Sequence, residues 1–206
     1  MNTKGRLFCV VGPSGSGKSS ICRLLLGNLP LGLSISYTTR QPRGAEVNGK
    51  DYHFLTTEDF MAKVSSGFFA EHAKFGDNYY GTGHRDLNVL MESGKDVLLD
   101  IEYQGVRQLK EKLGDDVVSI FIFPPSFAEL ESRLRNRGTD SDESIKKRLS
   151  IAATEIEALL KEELADYFVE NRELQDAYEL CAQIIGSEKH RINRSYANEI
   201  RKKLLP

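Results

Sequence analysis

The chain reads as an α/β protein, a parallel sheet flanked by helices, and three observations lead there. Short, continuous apolar runs such as Leu7-Phe8-Cys9-Val10-Val11 have the character of strands buried on both faces. Helical periodicities lie between those runs, and strand–helix alternation favours parallel pairing with helices above and below the sheet. The first run ends at a glycine and passes directly into Gly12-Pro13-Ser14-Gly15-Ser16-Gly17-Lys18-Ser19, a full match to G-x-x-x-x-G-K-[ST].

Three more runs supply further strands: Val97-Leu98-Leu99, the long stretch from Val117 to Phe123, and the weaker Tyr167-Phe168-Val169. The helical stripes are Ile21/Leu24/Leu25, Val106/Leu109/Leu113 and Ala177/Tyr178/Cys181/Ile184/Ile185. Two segments depart from this rhythm. Residues 34–83 are rich in tyrosine, phenylalanine, glycine and threonine, with candidate strands at 35–38, 52–55, 69–75 and 79–82, and read as a small mixed α+β insertion. Residues 126–157 are helical and dense in arginine. Ser126 and Glu129 form a capping box there, and a second helix opens near Ser141 with Asp142 and Glu143 in its first turn. The core is then 1–33, 84–125 and 158–206. The C-terminal stretch Ile192/Tyr196/Ile200, with Arg191, Arg194, Arg201, Lys202 and Lys203, reads as an amphipathic helix on that core.

The chain has 206 residues, room for one compact α/β domain with insertions. A net charge of -2 gives no field that would hold it on nucleic acid or a membrane surface. Cys9, Cys22 and Cys181 are odd in number and scattered, which fits a reducing compartment. The apolar run before Gly12 is too short for a membrane span or a signal peptide. The expectation is a cytoplasmic protein, with oligomeric state open.

The chemistry starts at the phosphate loop. Its glycines let successive backbone N–H groups of Gly12 through Ser20 turn toward a phosphate, which the helix N-terminus also favours. Lys18 is expected on the β- and γ-phosphates and the Ser19 hydroxyl on Mg²⁺, with Asp100, at the end of its strand, as the acidic partner through water. This motif alone leaves kinase, ATPase and GTPase open. On the insertion, Arg40 and Arg43 offer two guanidinium forks, and Tyr52 and Tyr80 two phenols, a set suited to a dianionic monophosphate.

Over essentially its whole length the sequence resembles the guanylate kinase family. The stretches that carry this are GPSGSGKSS, SYTTRQPRGAEVNGKDYHF, FFAEHAKFGDNYYGT, VLLDIEYQGV and RLRNRGTDSDESIKKRL. The resemblance implies a P-loop kinase core, an acceptor-binding insertion and a helical lid, with ATP–Mg²⁺ and GMP or dGMP as partners. It implies that Arg40, Arg43, Tyr52 and Tyr80 bind the GMP phosphate and that Ser36, Glu71, Thr82 and Glu102 read guanine. It further implies that Arg137 and Arg148 meet the phosphates and that Asn171 approaches the ATP adenine. Two positions depart from the family: it usually has aspartate where Glu102 stands, and Asn-Asp-Asp where this chain has Asn171-Arg172-Glu173. The chemistry of guanine agrees. Its N1–H and N2–H₂ donors suit a carboxylate such as Glu71, and its O6 suits the hydroxyls of Ser36 and Thr82. Adenine presents an acceptor at N1 and would face Glu71 lone pair to lone pair. The rival readings are a non-catalytic module of the same fold that binds a phosphoprotein, which would lack the intact Lys18 and Ser19, and a kinase for another monophosphate, against which Glu71 stands.

Overall fold

The computed structural model describes residues 4–136, 141–191 and 201–204. The central strand, β1 (Leu7–Val11), is buried at every position. It leads into α1 (Lys18–Asn28), which ends just before Pro30, a residue that lacks the N–H another turn would need. β2 (Gly32–Leu33), β3 (Tyr37–Thr38), β4 (His53–Phe54), α2 (Thr57–Ser65), β5 (Phe69–Phe75), β6 (Asn78–Gly83) and α3 (His84–Glu92) come next. They are followed by β7 (Val97–Asp100), α4 (Tyr103–Leu113), β8 (Val117–Phe123), α5 (Phe127–Asn136), α6 (Asp142–Lys161), β9 (Tyr167–Glu170) and α7 (Leu174–Glu188).

Among the described residues the strands form two sheets. The larger is all parallel, in the order β2-β7-β1-β8-β9, and the smaller is mixed, in the order β4-β3-β6-β5. Alternation along β1 divides the core. Leu7, Cys9 and Val11 pack with Leu87 and Met91 of α3, Val106 and Leu109 of α4 and Leu159 of α6. Phe8 and Val10 pack on the other face with Ile21 and Leu25 of α1 and Ala177, Cys181 and Ile185 of α7. The sheet is therefore covered on both sides, as the apolar runs require. The C-terminal ends of β1 and β7 open toward the small sheet, so Gly12 and Asp100 emerge side by side.

The structure adds elements that the periodicity does not reveal. α2 buries only Phe60, so no apolar stripe marks it; Thr56 caps it by accepting from the Asp59 N–H at 3.1 Å. β2 is a two-residue edge strand beside β7, too short to show a pattern. The second arginine-rich helix begins where the capping signal puts it, with Ser141 accepting from the Ser144 N–H at 3.2 Å. α6 then runs on to Lys161, past the expected boundary near 157, because Leu159 belongs to the sheet-facing core. Most of the expected C-terminal helix lies outside the described residues.

Candidate active site

The phosphate loop joins the end of β1 to the first turn of α1. Gly17 caps that helix with φ +96°, and a Cβ there would stand 2.2 Å from Asn171 Nδ2. Both the conformation and the contact require glycine. Asn171, expected near an adenine, is buried beneath the loop, where its side-chain amide donates to the Ser16 carbonyl at 2.7 Å. Its backbone N–H donates to Phe123 O at 2.8 Å, so the end of β9 braces the loop from below. The Lys18 ammonium donates to the Gly12 carbonyl and, at 3.3 Å, to that of Pro13. The lysine is thus folded into the concavity its own loop makes.

Ser19 Oγ donates to Asp100 Oδ2 at 2.8 Å. Crowding by protein raises the Asp100 carboxyl above the usual range, with the Lys18 charge opposing the shift. A hydroxyl and a carboxylate in contact form a hard oxygen pair of the kind Mg²⁺ takes alongside phosphate oxygens and water. Among the described residues no group of three or more His, Cys, Asp or Glu gathers to hold a metal by itself.

Across a cavity of about 780 Å³ from this loop stands the small sheet. Ser36, Arg43, Tyr52, Glu71 and Tyr80 line it together with Lys18, Ser19, Asp100 and Glu102. Two expected residues sit behind that wall. Arg40 pairs with Glu46 at 2.9 Å and lies 5.4 Å over the Tyr52 ring. Thr82 is fully buried, and its hydroxyl donates to Glu71 Oε1 at 2.5 Å. That proton is therefore committed to the carboxylate. The cause is register: Glu71 and Thr82 are cross-strand partners on β5 and β6. Burial pushes the Glu71 carboxyl up to about 7, against the Thr82 hydrogen bonds that favour its ionised form. On the far side, a Cβ on Gly105 of α4 would stand 2.6 Å from Glu71 Oε2.

The third wall is α6. Ser144, Lys147, Arg148 and Ile151, spaced on one helical face, line the same cavity, and Arg148 Nη1 donates to Ser14 Oγ at 3.0 Å. α5 packs on α6 through a small core of Leu130, Leu134, Ile145 and Ala152. Arg133 pairs with Glu129, and Arg135 with Glu131 and Asp142. Arg137 lies outside the described residues. Sequence reasoning missed Lys147, although its place one residue before Arg148 and three after Ser144 puts it on the cavity face. It also missed Asp77 and Asn78, whose turn between β5 and β6 reaches the cavity rim.

A phosphate loop facing a wall of arginine, tyrosines and a buried glutamate defines a phosphate-loop phosphotransferase with separate donor and acceptor sides. No helix among the described residues is long and apolar enough to cross a membrane. The guanylate kinase family model matches residues 4–188. A guanylate kinase of Syntrophotalea carbinolica is 46% identical over 195 residues, covering 94% of this chain and 91% of that protein. Another, of Protochlamydia amoebophila, is 44% identical over 192 residues, covering 93% and 95%. The crystal structure of guanylate kinase from Anaplasma phagocytophilum superposes with a TM-score of 0.80 at 31% identity, covering 99% of this chain and 97% of that one. The chain belongs to the guanylate kinase family, enzymes that phosphorylate GMP.

Proposed function

We propose that the cavity between the phosphate loop and the small sheet is where this chain transfers the γ-phosphoryl of ATP to GMP, and to dGMP through the same contacts. The observation that carries this is Glu71, a buried carboxylate on the cavity wall opposite Lys18 and the Ser19–Asp100 pair. It can accept from both guanine donors, and it has nothing to offer adenine N1.

The division of labour follows. Residues 1–33, 84–125 and 158–206 form the core that holds ATP; 34–83 hold GMP; 126–157 act as the lid. Loop N–H groups from Gly12 to Ser20 cradle the donor phosphates, and Lys18 leaves its carbonyl partners for them. Arg43, Tyr52 and Tyr80 hold the GMP phosphate, with Arg40 supporting Tyr52 from behind. Ser36 and Glu102 join Glu71 at the base. Arg148 and Lys147 bring positive charge from α6, with Arg137 expected to do the same. Mg²⁺, held by Ser19 and by Asp100 through water, would neutralise phosphate charge when bound. No side chain is needed as an obligatory base, because positioning and electrostatics carry phosphoryl transfer. Closing α6 over the cavity keeps water out, so that transfer outruns hydrolysis. Three buried free cysteines suit work in the reducing cytoplasm. ADP formation from ATP, compared with GMP and AMP as acceptors, tests the reading.

A further inference from the structure

α6 carries one charged residue that this mechanism does not use. Glu155 continues the stripe of Ser144, Lys147, Arg148 and Ile151, between the cavity-lining turns and Leu159 in the core. It is only 4% exposed, an unusual position for a carboxylate. Its Oε2 is buried with no hydrogen-bond donor from the protein, yet the side chain is in hydrogen-bond contact with Glu102. Glu102 is the N-cap residue of α4 and lines the cavity.

Two carboxylates in such contact cannot both be ionised without a cation between them. The charged groups that face Glu155 are Glu102, from the start of α4, and Lys18, from the start of α1. The Lys18 ammonium is bonded to the Gly12 and Pro13 carbonyls. Arg107 of α4 is paired with Glu162, and Arg133 and Arg135 of α5 with carboxylates of their own segment. A proton resolves the contact, and it belongs on the more buried partner; burial first, then Glu102, pushes the Glu155 carboxyl up to about 9. A neutral Glu155 turns the donorless oxygen contact into an O–H···O⁻ bond, among the stronger kinds.

We propose that Glu155 is a positioning residue: it holds a proton at neutral pH and donates it to Glu102, fixing the Glu102 carboxylate at the cavity wall for the acceptor base. The proposal rests on the reading above that this wall receives guanine. It also links base recognition to the helix that carries Lys147 and Arg148, since one rigid stripe holds both. Glu102, one methylene longer than the aspartate usual at this position, has the reach to meet α6 with one oxygen and the cavity with the other.

Two measurements on the whole chain test this. The first is an infrared difference spectrum in D₂O at neutral pH, parent minus Glu155→Gln. A neutral carboxylic acid band is expected, and its absence overturns the proposal. The second is kinetics of Glu155→Gln, which keeps a donor, and Glu155→Leu, which fills the space without one. Glu155→Gln should hold the GMP KM within about twofold, while Glu155→Leu should raise it about tenfold and leave the ATP KM alone. Equal effects of Glu155→Leu on both substrates, or no effect on either, would reduce Glu155 to packing and overturn the proposal. If Glu155→Leu does not fold, the infrared band and the Glu155→Gln kinetics still decide. Failure of the guanine reading would show separately, as unchanged base selectivity in Glu71→Gln with the Glu155 band intact.

Discussion

Thr82 Oγ1 donates to Glu71 Oε1 across 2.5 Å, so one lone pair of the buried carboxylate is occupied from behind while its face toward the cavity stays open. The bond fixes the carboxylate's orientation before any ligand arrives. It also means that Thr82 supports the reader of the base, and that the hydroxyl meeting guanine O6 falls to Ser36.

Glu71→Gln keeps the size but replaces one oxygen by an NH₂ donor. One guanine donor then faces another donor, and a charge-assisted bond is lost. GMP kcat/KM should fall by roughly 2–4 kcal/mol, about 30- to 1000-fold. AMP should improve relative to GMP, because the amide can donate to adenine N1. ATP affinity, measured by titration, should hardly change. A proportional loss for GMP and AMP would make Glu71 structural.

The raised Glu71 carboxyl gives a pH dependence with a definite sign. In the free protein it titrates at about 7, and guanine binds the ionised form. GMP must therefore expel a proton below that pH, at about tenfold in KM per pH unit. The GMP KM should fall as pH rises toward 7 and then level off. Glu71→Gln should lack this limb and retain only the titration of the GMP phosphate, whose second pKa is about 6. A KM profile identical in parent and variant would show that Glu71 does not titrate against the base.

Gly105→Ala sets two effects against each other. Inside α4 an alanine should stabilise the helix by up to about 1 kcal/mol. Its Cβ would stand 2.6 Å from Glu71 Oε2, and the carboxylate must move to admit it. A Tm near that of the parent, with a GMP KM raised about tenfold and an unchanged ATP KM, is the expected result. An unchanged GMP KM would mean that Glu71 has freedom this packing denies it.

Lys18→Met should leave the fold intact, since the ammonium bonds only to carbonyls of its own loop. The loss falls on the developing phosphate charge, and kcat should drop by about 10³-fold or more with Tm little altered. Equal turnover in parent and variant would remove Lys18 from the reaction.

Much of this was legible in the sequence, for identifiable reasons. β1 and β8 have the bounds their apolar runs suggest, because strands buried on both faces leave no polar break inside them. The phosphate loop was readable because its backbone needs glycine at set positions. The caps at Ser126 and Ser141 were readable because each hydroxyl serves an N–H three residues on. What stayed hidden depends on three-dimensional neighbours. α2 buries a single residue, and β2 exists only through β7. That Asn171 lies under the loop follows from the pairing of β9 with β8, which no local pattern carries. Thr82 looked like a reader of the base, and only the β5–β6 register reveals its bond to Glu71.

ADP formation from ATP with GMP, dGMP, AMP, UMP and CMP as acceptors, each with Mg²⁺, is the measurement that bears most directly on the site. Turnover should be high with GMP and dGMP, and kcat/KM for the other three lower by about 10⁴-fold, because they leave Glu71 without its donors. Equal use of AMP and GMP would contradict the guanine-reading wall, and no acceptor-dependent ADP formation with any of the five would contradict phosphoryl transfer in this cavity.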